Sequence, residues 1–366
     1  SLTFYGGVGE VTGANFLCET SAERFAVDCG LHQGSPEASD QNSAPFAYDP
    51  SGLDFLLVTH AHADHIGRIP KLVRDGFAGT IFSTPETKAI AELMFEDALG
   101  IMEHRRDETG EEPIFERKDV ERAHKQWTTR AYEEPFRLNE TEVVLKDAGH
   151  ILGSALIVAD LPNSRRIVFA NDLGNAQSPL LAPPAEITDA DYLVTDSVYG
   201  DRVHPPREEA ERILAETIRR AVGRGGAVVI PAFSLERTQE LLYLLDDLVE
   251  AGELPSVPVY LDSPLAIRVT EVFKRLQDHL SDEAKAQIAS GDRIFDFPKL
   301  ELTREGYESR EINSAPNPKI VLAGSGMSTG GRVLHHEKRY LPDPDSALVL
   351  VGHQATGTLG RRLEEG

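Results

Sequence analysis

Three histidines and one aspartate fall within six positions of the stretch HAHADH: His60, His62, Asp64 and His65. Neutral imidazoles suit Zn²⁺, and a carboxylate adds charge compensation and can bridge two ions. In the H-x-H part, rings two residues apart on an extended loop can face the same side and share one ion. Asp64 and His65 follow at once and are free to serve a neighbouring ion. The spacing is not the helical H-E-x-x-H pattern, which argues against a zincin-type protease.

The elements around this cluster must deliver it. Residues 55–58 (FLLV) are short, apolar and β-prone, and residues 66–75 (IGRIPKLVRD) resume a helical pattern. The cluster therefore sits on a strand-to-helix loop, where function tends to collect. The same arrangement recurs along the first half. RFAVD ends at Asp28, EVVLKDAGH at His150, RRIVFAND at Asp172 and DYLVTD at Asp196. Five acid or imidazole side chains delivered at strand exits point to one shared rim of a sheet scaffold. Residues 103–135 are densely charged and read as a solvated helical excursion.

The second half alternates strand and helix. GAVVIPAF precedes LERTQELLYLLDDLVE, PVYLDS precedes PLAIRVTEVFKRL, and KIVLAGSG precedes MSTGGRVLHHEKRYL. This pattern implies βα units around a parallel sheet. Turn residues gather at YGDRVHPP, so the expected domains are 1–198 and 199–366. Two glycine clusters, GGVGEVTG and GSGMSTGG, lack both G-x-G-x-x-G and a P-loop. The second, opening a helix, could hold a phosphate on backbone N–H groups.

Composition narrows the field. With 40% hydrophobic residues the 366-residue chain can bury a core, and no apolar run approaches a membrane span. Two cysteines, Cys18 and Cys29, form no CxxC, so a reducing cytoplasm is the expected location. The net charge of −23 argues against broad electrostatic capture of nucleic acid, though not against a local basic groove.

HAHADH resembles the H-x-H-x-D-H signature of the metallo-β-lactamase superfamily. Asp28 in VDCG, His150 in DAGHILGSA and Asp172 in FANDLGN are similar to its other motifs, in order. TDSVYGDR, IPAFSLERTQE, YLDSPLA, AGSGMSTGGRVLHH and GHQATGTLGRRL resemble the β-CASP branch, which processes nucleic acids. The likeness spans essentially the whole chain. It is nearest to the bacterial endoribonuclease type, related to the nuclease of eukaryotic pre-mRNA 3′-end formation.

The resemblance implies an α/β fold, an αββα metallo-β-lactamase sandwich carrying an inserted parallel-sheet β-CASP domain. It implies two zinc ions, one on His60, His62 and His150, the other on Asp64 and His65, with Asp172 bridging. Asp28 would brace the histidine loop, and Asp196 would help handle the leaving-group proton. A hydroxide generated between the ions would hydrolyse RNA. From their place near the βα turns, Ser234, Arg237, Ser325, Thr329 and Arg332 are candidate phosphate contacts.

The pattern also departs from the family. Two histidines expected after GHQATGTLG are absent, so a downstream segment or a partner would have to complete the site, and the second zinc is expected to bind weakly. Spacing nominates His353 as a replacement ligand, although that place is usually aromatic in the family. His335 and His336 would pack or meet the substrate. RNA is the expected partner, with no membrane, and homo-oligomers are compatible with the sequence. The rival readings are a small-molecule hydrolase of the same superfamily, and a silent RNA-binding or scaffold subunit. The α/β second half disfavours the first; the absent histidines favour the second, and the intact H-x-H-x-D-H disfavours it.

Overall fold

A computed structural model describes residues 1–34, 37–175, 177–203 and 205–366. The chain divides into two compact units, Ser1–Asp201 and Arg202–Gly366.

The first unit is built on two sheets. One runs β1 (Leu2–Phe4), β2 (Phe16–Glu19), β3 (Arg24–Val27), β4 (Phe55–Leu57), β5 (Thr80–Ser83) and β6 (Trp127–Thr129), in that order. Its first three strands pair antiparallel, and β3 to β6 pair parallel. The other sheet has the order β11 (Tyr192–Thr195), β10 (Arg166–Ala170), β9 (Ala155–Asp160), β8 (Thr141–Asp147) and β7 (Phe136–Leu138). It is antiparallel apart from the parallel β10–β11 pair.

Side chains two apart along a strand share a face, and this alternation makes the core. Phe25 and Val27, Phe55 and Leu57, Val143 and Leu145, and Ile167 and Phe169 meet in one buried cluster between the sheets. Ala26, Leu56 and Ile81, of the opposite parity, are also fully buried, so the first sheet is covered on both faces. Parallel strands buried on both sides read as continuous apolar runs, which is why FLLV carries no alternation. The charged tract contains the helix Arg117–Lys125 and also β6. That edge strand needs only one anchor, Trp127, which is buried and donates its indole N–H to Ser83 Oγ at 2.8 Å.

The second unit holds a five-stranded, wholly parallel sheet. Its order is β14 (Leu300–Leu302), β13 (Val259–Asp262), β15 (Lys319–Ala323), β12 (Ala227–Pro231) and β16 (Ala347–Leu348). Asp262, fully buried at the end of β13, ties its loops together. Its Oδ1 accepts from Arg332 Nη1 at 2.8 Å and Thr303 Oγ1 at 2.7 Å. Its Oδ2 accepts from Ser309 Oγ at 2.6 Å and faces His336 Nε2 at 2.7 Å. Burial opposes the charge, but the bonds from His336, Ser309, Thr303 and Arg332 hold the carboxyl down at about 2.

Asp246, on the helix Arg237–Glu250, shows the opposite balance. Burial and the neighbouring Asp292, Glu250 and Asp247 raise its carboxyl from 3.8 to about 7. A folded pKa above the unfolded one means the folded state holds the proton more tightly. That contribution is complete below about pH 4 and is lost as the pH rises through about 7. Asp246→Asn should therefore stabilise the chain at pH 8 by about 1–2 kcal/mol after screening, and by much less at pH 4. Urea unfolding at the two pH values checks this, and equal effects at both would contradict it.

Candidate metal centre

The rim is assembled by strand exits and two close loop contacts. Directly after β3, Asp28 takes a left-handed backbone conformation (φ 58°), which Asp tolerates better than most residues. The chain then runs against the histidine loop. Cys29 N–H donates to His65 O at 2.7 Å, and Leu31 N–H to Ala63 O at 2.9 Å. A Cβ on Gly30 would lie 1.5 Å from Asp64 O, so only glycine permits this approach. A second contact brings the His150 and Asp172 loops together. Gly174 N–H donates to Ala148 O at 2.9 Å, and a Cβ there would lie 1.6 Å from Gly149 O.

His60 lies at the exit of β4, and His62 directly precedes the short helix Ala63–Ile66, which carries Asp64 and His65 in its single turn. His60, His62, His150 and Asp172 each offer one ligand atom, all within 4.8 Å of one another. His62 Nδ1 lies 3.1 Å from His60 Nε2 and 3.2 Å from His150 Nε2. Asp172 Oδ2 lies 3.3 Å from His150 Nε2 and 3.6 Å from His60 Nε2. Three imidazoles and one carboxylate are a donor number and type that a tetrahedral zinc site uses.

Asp172 turns its other oxygen elsewhere. Oδ1 lies 3.5 Å from His65 Nε2, which is itself 3.8 Å from Asp64 Oδ2. One carboxylate thus divides its two oxygens between two groups of donors, the geometry a bridging ligand requires.

The electrostatics of the metal-free chain separate the histidines. Burial and the neighbouring imidazoles push His60 well below its usual pKa and His62 down to about 3, leaving both neutral as metal ligands must be. Burial also works against a charge on His65, yet Asp64 and Asp28 together raise it to about 10, so binding an ion there must release its proton. Burial raises Asp64, while the histidines around Asp172 draw its carboxyl far below the usual range despite burial.

Asp28 is fully buried and accepts four hydrogen bonds. Oδ1 takes Thr59 N–H at 2.8 Å, and Oδ2 takes Thr59 Oγ1 at 2.7 Å, Asn171 Nδ2 at 2.7 Å and His65 Nδ1 at 2.8 Å. Thr59 and Asn171 are participants that the sequence reading missed. Each directly precedes a donor, His60 or Asp172, and that adjacency was the available signal.

The remaining candidates lie elsewhere. Asp196 leaves β11 exposed, its N–H donating to Asn171 O at 3.1 Å and its Oδ1 accepting from Val198 N–H at 3.1 Å. In the second unit Ser234 Oγ lies 3.1 Å from Ser263 Oγ, and Ser325 Oγ 3.0 Å from Thr329 Oγ1. Arg237 pairs with Glu240 at 2.7 Å. Arg332 commits its guanidinium to Asp262 and to the carbonyls of Thr303 and Arg304, so it braces loops where the sequence suggested a phosphate contact. His336 is buried against Asp262, and His353 belongs to the second unit, outside the four-donor cluster.

Comparison with known proteins gives the family. Residues 16–232 match the metallo-β-lactamase superfamily, and residues 238–363 the β-CASP domain. The chain belongs to the β-CASP family of the metallo-β-lactamase superfamily. It is 41% identical to Ribonuclease TTHA0252 of Thermus thermophilus, over 98% of this chain and 80% of that protein. It is 30% identical to transcription termination factor FttA of Methanosarcina mazei, matching along all of its length but spanning only 58% of that protein. An RNase J-like protein of Methanocaldococcus jannaschii is 32% identical, with 80% of it covered. A solved structure from Enterococcus faecalis, of unknown function, shares the fold at a TM-score of 0.54 and 12% identity, over 97% of this chain and 88% of that one. Membership of the superfamily implies a divalent metal, and the donor set fits one. No described helix is long and apolar enough to cross a membrane.

Proposed function

We propose that the chain is a zinc-dependent ribonuclease that cuts RNA internally and leaves 5′-phosphate and 3′-hydroxyl ends. The observation that carries this reading is the divided carboxylate of Asp172, in a chain 41% identical to a ribonuclease over almost its entire length. His60, His62, His150 and Asp172 hold one ion, and Asp64, His65 and Asp172 the other. The two zinc ions, when bound, lower the pKa of water and neutralise charge on the phosphate being attacked.

The other residues bind and orient. Asp28 fixes His65 by accepting from its Nδ1, which turns Nε2 toward Asp64 and Asp172. Ser234, Ser325 and Thr329 offer hydroxyl donors, and Arg237 a charge, to backbone phosphates, contacts that position RNA without reading its sequence. Asp196, exposed beside the strand that delivers Asp172, takes the role of handling the leaving oxygen's proton. General acid help of this kind contributes about 10²–10⁴-fold.

The test is single-turnover cleavage of an internally labelled RNA by the chain stripped with chelator and then supplied with zinc. Cleavage, feeble where the second ion is weakly held, should appear only with zinc, yield 5′-phosphate ends, and vanish in Asp64→Ala. Asp196→Ala should slow it while leaving the zinc content unchanged. RNA bound but never cut at any zinc level would support the scaffold reading instead. Undiminished cutting after metal removal would refute the zinc role.

A further inference from the structure

We infer that Thr59 is a positioning residue that sets the tautomer of His60, so that one buried carboxylate, Asp28, orients a donor at each of the two metal positions. This rests on the reading of His60 and His65 as ligands. Counting protons decides the tautomer. A threonine hydroxyl has one hydrogen and two lone pairs. Thr59 Oγ1 lies 2.7 Å from Asp28 Oδ2 and 3.1 Å from His60 Nδ1. Asp28 already accepts from Thr59 N–H, Asn171 Nδ2 and His65 Nδ1, so it can only act as an acceptor toward the hydroxyl. Pointing the hydroxyl hydrogen at His60 would leave two oxygens facing each other at 2.7 Å in a buried site with no proton between them. The hydroxyl therefore donates to Asp28 and accepts from His60 Nδ1–H.

That assignment fixes the other side of the ring. With its proton on Nδ1, His60 presents a bare lone pair on Nε2, the atom that faces His62 Nδ1 and Asp172 Oδ2. Asp28 orients His65 directly: the ring's Nδ1 donates to Asp28, and its Nε2 faces Asp64 and Asp172. Asp28 thus reaches the first position through Thr59 and the second without an intermediary. The relay is held rigidly. Thr59 is buried, its N–H is bound to Asp28 Oδ1, and its carbonyl accepts from Ala155 N–H at 2.7 Å. Removing a partner that orients a metal-binding histidine typically costs 10–100-fold in metal affinity.

Two variants separate the hydroxyl from the space it fills. Thr59→Val keeps the shape and loses the hydrogen bonds, whereas Thr59→Ser keeps the hydroxyl. In metal-free, ¹⁵N-labelled protein the ring nitrogens of His60 should report the Nδ1–H tautomer in the parent and in Thr59→Ser, and lose it in Thr59→Val. Competition with a chromophoric chelator should show tenfold or greater loss of affinity for the first zinc in Thr59→Val, with Thr59→Ser close to the parent. If Thr59→Val fails to fold, parent and Thr59→Ser still decide the matter, because a His60 proton on Nε2 in both would overturn the inference. Unchanged tautomer and affinity in a folded Thr59→Val would overturn it equally. A tautomer that shifts as expected in a chain that takes up no zinc would uphold the hydrogen-bond relay and sink the ligand reading beneath it.

Discussion

Asp172→Asn should release both metal ions and reduce RNA cleavage by at least about three orders of magnitude. The side chain keeps its length and shape, so the change isolates charge and lone pairs. In the parent, Oδ2 sits among His60 and His150 while Oδ1 faces His65. Asparagine can satisfy only one of these groups with oxygen and must turn an N–H₂, which cannot bind a cation, toward the other. It also removes the one negative charge shared by both positions. Loss of several kcal/mol of charge stabilisation corresponds to about 10³-fold or more in rate. Zinc per chain after dialysis and single-turnover cleavage would both register the change. A variant that keeps two zincs and half its rate would mean that Asp172 does not bridge.

Asp28→Asn should be nearly as damaging, by another route. Four donors converge on this fully buried carboxylate. An asparagine places its own N–H₂ against some of them and leaves the rest with a neutral acceptor. Breaking one partner of a buried, hydrogen-bonded charge costs about 3–5 kcal/mol. Because Asp28 orients His65 directly and His60 through Thr59, zinc affinity should fall together with stability. Urea unfolding of the metal-free chain measures the first effect, and chelator competition on the folded fraction the second. A variant as stable as the parent would show that the carboxylate is not the hub of the rim.

Both aspartates were visible in the sequence. Asp28, His60, His150 and Asp172 each end an apolar run, so their delivery to one rim was legible from strand patterning alone. The strands of the second unit were equally legible, because parallel strands buried on both faces leave apolar runs such as AVVIP and IVLA. Thr59 and Asn171 were not, since their roles rest on partners far off in sequence: Asn171 meets Asp28 across 143 positions. Arg332 escaped for the same reason, its partner Asp262 lying 70 residues away and itself looking like an ordinary strand-end acid. β6 was hidden because an edge strand with one buried side chain leaves almost no periodic trace in a charged tract. Local pattern reveals where a side chain leaves the scaffold, whereas its hydrogen-bond partners depend on the closed fold.

X-ray absorption at the zinc edge tests most directly whether His60, His62, His150 and Asp172 hold a metal. The chain loaded with one equivalent of zinc should show four nitrogen or oxygen neighbours at about 2.0–2.2 Å, with the outer-shell scattering of imidazole rings. His62→Ala should lose part of that imidazole signal. A sulfur neighbour at about 2.3 Å, which only Cys18, Cys29 or a methionine could supply, or a shell without imidazole, would contradict the account.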